Sequence, residues 1–270
     1  MQTKTPEILG IIAGNGVYPR LLADSARKAG ARIVAAAFSD ETDPALAQHV
    51  DVVEWLRVGQ LSRLLSFFRE QNVRHAIMAG QIAPRNLFDL RPDWKALLLL
   101  AKLKQRNADS IFSAIGEELA KINVELLAAT TFLEDYLAPP GLIAGAKLSR
   151  REEEDVDFGW KVARQIAELD IGQTVVVRSG TVLAVEGLDG TNETIKRGGK
   201  LAGKGAVMIK VAKPNQDMRF DVPVIGVETI RIAAESKVRV IALEATRTLL
   251  LEREAIVALA QRSKISVVAR

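Results

Sequence analysis

Residues 9–19 read LGIIAGNGVYP, and how this stretch is read decides the fold. Leu9 to Ala13 is a short apolar run, Gly14-Asn15-Gly16 then forces a tight turn, and an amphipathic stretch follows from Pro19 to Ala29. Proline suits the first turn of a helix, where its missing N–H costs nothing. Strand, glycine turn and helix make the opening of a βα unit.

The alternation continues downstream. Ile33 to Phe38, Val52 to Trp55 and His75 to Ala79 read as strands, and Gly59 to Gln71 as a helix. Helices are expected from near Pro92 and over Asp109 to Asn123, with a short strand over Val124 to Ala128. Strands alternating with helices predict a doubly wound parallel sheet. Leu137-Ala138-Pro139-Pro140-Gly141 cannot continue a helix and favours an extended connector, so a linker is expected over 137–148, between domains at 1–136 and 149–270. The second half reads as another α/β domain: a helix over Arg151 to Leu169, a hairpin turned at Ser179-Gly180, and helix–strand–helix–strand at the end.

With 270 residues, 48% hydrophobic and 26% charged, the chain has the composition of a folded globular protein. It has no cysteine, which excludes disulfides, thiol nucleophiles and thiolate metal sites. No signal-peptide pattern and no apolar run of about 20 residues is present, so a cytoplasmic protein is expected. The net charge of +4 is compatible with an anionic partner. Neither His49 nor His75 has a neighbour at metal-ligand spacing, and Gly-x-Ser-x-Gly and Walker-type loops are absent.

Three places carry candidate chemistry. Gly14, Asn15 and Gly16 can bring backbone N–H groups to an anion at a helix N-terminus, although Pro19 stands where a dinucleotide fingerprint needs its third glycine, which argues against NAD. Gly80, Gln81 and Arg85 lie past another parallel strand and would face the same crevice. The third is KPNQDMRFD at 213–221, with Pro214 before it and Pro223 after. An extended reading of 215–222 puts Asp217, Arg219 and Asp221 on one face and Met218, Phe220 and Val222 on the other. Such a face would bind a divalent cation or accept a proton from water, with Lys213 and Arg219 clamping phosphate oxygens; a plain charged edge strand fits the same pattern. Gly226-Val227-Glu228-Thr229 begins a further helix that offers a phosphate site. Glu186 and Thr191, after a predicted strand, belong either to a turn or to the site. The leucine-rich helix from Pro92 to Lys104 reads as a packing helix or as a lipid contact edged by lysines.

Taken together, LGIIAGNGVYP, AGQIAPRNLF (79–88), LDIGQTVVV (169–177), VLAVEGLDGT (182–191) and VAKPNQDMRFDVPVIGVETI (211–230) resemble the UDP-2,3-diacylglucosamine pyrophosphatases of the LpxI type over nearly the whole chain. The resemblance implies a Rossmann-like N-terminal domain and a second α/β domain with a substrate cleft between them. It implies Mg2+-assisted hydrolysis of UDP-2,3-diacylglucosamine to UMP and 2,3-diacylglucosamine 1-phosphate in lipid A biosynthesis. The family's Arg-x-Asp-x-Pro-x-Ile-Gly pattern places its critical aspartate at Asp221, and Asp217 is carried over as a second catalytic and metal-binding carboxylate. Expected partners are the lipid-linked sugar nucleotide, the inner-membrane surface as a peripheral contact, and a second copy in a homodimer, with no nucleic acid. A non-catalytic sugar-nucleotide sensor on the same fold is the alternative.

Overall fold

The computed structural model describes residues 5–82, 92–104 and 108–270, and these divide into two units. Unit 1 is Met1–Leu133 together with Asp217–Asp221; unit 2 is Glu134–Gln216 together with Val222–Arg270.

In unit 1 the run Leu9–Ala13 lies within a strand, β1 (Ile8–Ala13), at the centre of a five-stranded sheet. β2 (Arg32–Phe38) and β4 (His75–Ala79) flank it, with β3 (Val52–Leu56) and β5 (Glu125–Leu126) at the edges. Every pairing is parallel, and the order β3-β2-β1-β4-β5 is that of a doubly wound sheet. β1 and β2 are buried almost throughout, which explains why they read as unbroken apolar runs and not as alternating ones. Helix α1 (Tyr18–Lys28) turns Leu22, Ala23 and Ala26 inward, and α2 (Leu61–Glu70) buries Leu61, Leu64, Leu65 and Phe68. Gly10 keeps β1 close to α2, since a Cβ there would lie 3.1 Å from the Phe68 ring.

Asp93 serves two helices at once. Its Oδ1 accepts from Ala96 N at 2.9 Å, capping α3 (Trp94–Lys102), and its Oδ2 accepts from Ser62 N at 2.7 Å in the first turn of α2. α3 is only partly a packing helix: Ala96 is buried, whereas Trp94, Leu97 and Leu98 are 72%, 50% and 41% exposed. Leu99 and Leu100 line an apolar cavity of about 70 Å³ with Phe38, Leu64, Ile82 and Phe112, the last from α4 (Ala108–Ala120).

Unit 2 has a six-stranded mixed sheet, in the order β6 (Gly141–Ala144), β13 (Ser266–Ala269), β11 (Val238–Leu243), β9 (Ala206–Lys210), β7 (Thr174–Arg178), β8 (Thr181–Val185). β13, β11 and β9 run parallel; β6, β7 and β8 are joined by antiparallel pairings. Alternate residues serve opposite faces. Val175, Val177, Val207 and Ile209 pack with Val156, Ala163 and Ile166 of α5 (Arg150–Glu168). Val176, Met208 and Ile241 pack with Ile195 of α6 (Gly190–Ala202), Ile230 of α7 (Val227–Glu235) and Ile256 of α8 (Arg253–Arg262). α5 opens with a capping box between Ser149 and Glu152, and the Asp155 carboxylate accepts from Ser179 N and Gly180 N, holding the β7–β8 turn. Toward the end of α6, Gly198 lies against Val176 and a side chain there would collide. A short parallel pair, β10 (Val224–Ile225) with β12 (Leu249–Leu250), completes the unit.

Two expectations need correction. Residues 137–148 are not a free connector: Ala138 is fully buried and donates to Thr248 O at 2.8 Å, and β6 pairs with β13. The Pro139-Pro140 pair enforces extended backbone, but extended backbone is also what an edge strand needs. The second is the extended reading of 215–222. Asp217 O accepts from Phe220 N at 3.2 Å and Asp221 N at 2.9 Å, so 217–221 forms a turn and the period-two face does not exist. Proline restricts only itself and the residue before it, which leaves the intervening positions free to turn.

Among the described residues, no helix is long and apolar enough to cross a membrane.

Candidate functional site

The first candidate lies at the carboxyl end of the unit 1 sheet. Gly14 N donates to Ala79 O at 2.8 Å, Asn15 N to Gln81 O at 2.7 Å and Gln81 N back to Asn15 O at 3.2 Å, which zips the loops after β1 and β4 together. A Cβ on Gly14 would collide with Gln81 O, and one on Gly80, whose φ is +93°, would stand 2.5 Å from Asn15 O. These glycines therefore answer first to the approach of two loops. Gly16, with φ +90° and open space around it, does not. Asn15, Gly16, Gly80 and Gln81 are exposed beside the start of α1, whose cap residue Val17 makes no side-chain cap hydrogen bond, so first-turn N–H groups face outward there. Arg85 lies outside the described residues.

The second candidate is the 217–221 turn, which belongs to unit 1. Ala129 N donates to Met218 O at 2.7 Å, and Ala129 O in turn accepts from the buried Tyr18 hydroxyl at 2.5 Å. Burial pushes the Tyr18 phenol above its ordinary value. Phe220 packs on Phe112, ring centroids 5.8 Å apart. Asp217 Oδ1 accepts from Arg219 N at 3.1 Å and Nε at 2.9 Å, and Oδ2 accepts from Nη2 at 2.6 Å. The Arg219 guanidinium bonded to it holds the Asp217 carboxyl below the usual carboxylate range, with desolvation opposing, and the carboxylate raises the guanidinium reciprocally. Both Asp217 oxygens are thus engaged by Arg219. Asp221 follows in the same turn, its N–H bonded to Asp217 O.

In unit 2, Lys213 Nζ pairs with Asp170 at 2.7 Å, and its backbone turns back through Gln216 N to Lys213 O at 3.3 Å. Thr191, in the first turn of α6, donates to Glu186 Oε1 at 2.8 Å and accepts from Lys210 Nζ at 2.6 Å, so its hydroxyl is engaged on both sides. Gly226 caps α7 with no side-chain cap bond and open space at its Cα. Sequence reasoning missed Lys210 and Glu244. Glu244 accepts from Ala212 N at 2.7 Å and from Arg164 at 3.0 Å, fixing the entry to the 213–221 segment. The signal for both was a charged residue closing an otherwise apolar strand, as in AVMIK and VRVIALE.

No group of three His, Asp or Glu side chains able to hold a metal is found among the described residues. His49 pairs with Asp24 at 2.7 Å, and His75 lies 3.6 Å from Glu125.

The comparisons with known proteins agree along the chain. The UDP-2,3-diacylglucosamine pyrophosphatase LpxI of Caulobacter vibrioides is 31% identical over 265 residues, covering 93% of each chain. Among solved structures, the biotin carboxylase domain of Hydrogenobacter thermophilus 2-oxoglutarate carboxylase aligns with 73% of this chain at TM-score 0.28 and 9% identity. N5-carboxyaminoimidazole synthetase from Staphylococcus aureus aligns with 76% at TM-score 0.27 and 15% identity. This chain spans 41% and 47% of those two proteins, and similarity at that level carries no weight for fold or function. Residues 8–136 match the LpxI N-terminal domain and residues 139–268 the LpxI C-terminal domain, and the chain belongs to the LpxI family.

Proposed function

We propose that this chain hydrolyses the diphosphate bond of UDP-2,3-diacylglucosamine, giving UMP and 2,3-diacylglucosamine 1-phosphate in lipid A biosynthesis. The observation that carries the reading is the 31% identity, over 93% of the chain, to a protein named for that pyrophosphatase activity. Water adds to one phosphorus, the P–O–P bond breaks, and the proton of the water leaves with a base; attack at either phosphorus yields the same two products.

In this reading Asp221 is the catalytic carboxylate, positioning the water and accepting its proton or holding Mg2+. Mg2+ bound there would neutralise non-bridging oxygens of the diphosphate. Asp217 aims Arg219, whose Nη1 carries no bond to Asp217 and remains to meet a phosphate oxygen. Both Asp217 oxygens accept from Arg219, which suits a carboxylate that positions the guanidinium. The acyl chains give a purpose to α3. Its inner leucines reach the apolar cavity, and exposed Trp94, Leu97 and Leu98 beside Lys95 and Lys102 suit a peripheral contact with an anionic membrane.

Incubation of the purified chain with UDP-2,3-diacylglucosamine and magnesium tests the reading. UMP release in the wild type and its loss in Asp221→Ala are expected. Substrate recovered intact after long incubation with the wild type would point instead to a sugar-nucleotide sensor.

A further inference from the structure

The carboxyl end of β9 gathers an unusual set of buried polar side chains. Thr174 is fully buried, Lys210 is 6% exposed and Glu186 is 8% exposed. Thr174 pairs directly with Lys210 across the β7–β9 ladder, and Glu186 follows the last residue of β8. The Lys210 ammonium makes one hydrogen bond, to Thr191 Oγ1 at 2.6 Å, and no ion pair among the described residues. Glu186 is reached only through that hydroxyl, and its other oxygen accepts from Gln173 N at 3.3 Å.

An ammonium has three donors, so two of those on Lys210 have no protein acceptor among the described residues. Taking a cation out of water without a direct counter-ion is costly, and a fold that served stability alone would pair Lys210 or replace it with an apolar residue. The surroundings favour an anion. Lys210 ends a central parallel strand, the side of an open sheet at which ligands collect. Thr191, its partner, stands in the first turn of α6, so N–H groups of that helix end open at the same edge. Asn192, next in that turn, contacts Thr229 of α7 at 3.4 Å, bringing the uncapped N-terminus of α7 beside that of α6. Gln173, whose carbonyl bonds Val211 N beside Lys210, also has a buried side-chain oxygen with no partner among the described residues.

We infer that Lys210, held in place by Thr191 and Glu186, is an anion-holding residue that binds a phosphoryl group at the N-termini of α6 and α7. The inference deepens the proposed function, on which it rests, by placing one phosphoryl group of the substrate against unit 2. Thr191 then acts as a positioning residue: its proton goes to Glu186 and its lone pair to Lys210, so it holds the lysine and leaves the anion to it.

The test is 15N NMR of the lysine ammonium groups in the full chain, with Lys210 assigned by comparison with Lys210→Arg. Titration with UMP and, separately, with glucosamine 1-phosphate is expected to shift the Lys210 signal; the effective probe identifies which half of the substrate supplies the phosphoryl group. Uridine is the control. A Lys210 signal unmoved by either phosphate, or moved equally by uridine and UMP, would overturn the inference. In kinetics, Lys210→Met is expected to lower kcat/KM about 100-fold, with Lys210→Arg restoring part of the loss. If Lys210→Met fails to fold, the wild-type titration still decides. Wild-type turnover with a silent Lys210 would reject only this inference, whereas absent turnover with a responsive Lys210 would reject the substrate and keep the anion site.

Discussion

Asp217 and Arg219, two residues apart, form a closed pair in which the guanidinium Nε and Nη2 and the Arg219 backbone N–H all donate to one carboxylate. A carboxyl held below its ordinary range contributes stability above the unfolded pKa and loses it as pH falls through the folded value. Urea unfolding of the wild type and Asp217→Asn should therefore differ at neutral pH and converge as pH is lowered through the acid range. A gap that stayed constant to about pH 2 would mean that the pair adds nothing through ionisation. Because Asp217 aims Arg219, the variant should also raise KM more than it lowers kcat.

Asp221 follows that pair in the same turn and, in the proposed reaction, works on the water. Asp221→Ala should lower kcat by about 10²- to 10⁴-fold in protein shown by circular dichroism to be folded. Mass spectrometry of lipid co-purifying with this variant should find an intact diacylated UDP-sugar. A chelator should stop wild-type turnover and magnesium restore it; turnover indifferent to both would remove the metal from Asp221 while leaving it as a base.

Gly14 and Gly16 lie two positions apart and should respond differently to alanine. At Gly14 the new methyl group meets the Gln81 carbonyl, so the paired loops must part, costing about 1–3 kcal/mol and disturbing activity. At Gly16 there is open space and the cost is the positive φ alone, about 1 kcal/mol. Chemical denaturation should rank Gly14→Ala below Gly16→Ala; equal values would mean that the loop pairing does not constrain Gly14.

Asp93 caps α3 and also binds the first turn of α2. Asp93→Ala should cost about 1–2 kcal/mol, toward the upper end for a single cap because two helix ends lose a partner. Asp93→Asn, which keeps one acceptor oxygen, should recover part of that loss. If the acyl chains are read by α3, Asp93→Ala should also weaken binding of the diacylated substrate more than of UMP.

Much of the fold was legible because local patterns and tertiary environment agreed. Strands buried on both faces read as apolar runs in LGIIA, RIVAAAF and HAIMA, and the glycine turn after the first of them made the parallel order the economical solution. The motif order along the chain was likewise legible, and the family it resembles is the one whose N- and C-terminal domains match residues 8–136 and 139–268.

Other features depended on where the chain went. Pro139-Pro140 announces extended backbone, and only the neighbouring β13 turned that backbone into an edge strand. The alternating charges of DMRFD suggested a face, but a carboxylate two residues from a backbone N–H closes a local turn more readily than it waits for a sheet partner. Thus the sequence by itself determined the βα alternation, the turn glycines and the family motif, because these depend on short-range periodicity and backbone sterics. Tertiary structure alone decided that LGIIAGNGVYP is clamped at Gly14 by Gln81, and that Lys210 is buried with donors to spare among the described residues. These two depend on which distant atoms share a space.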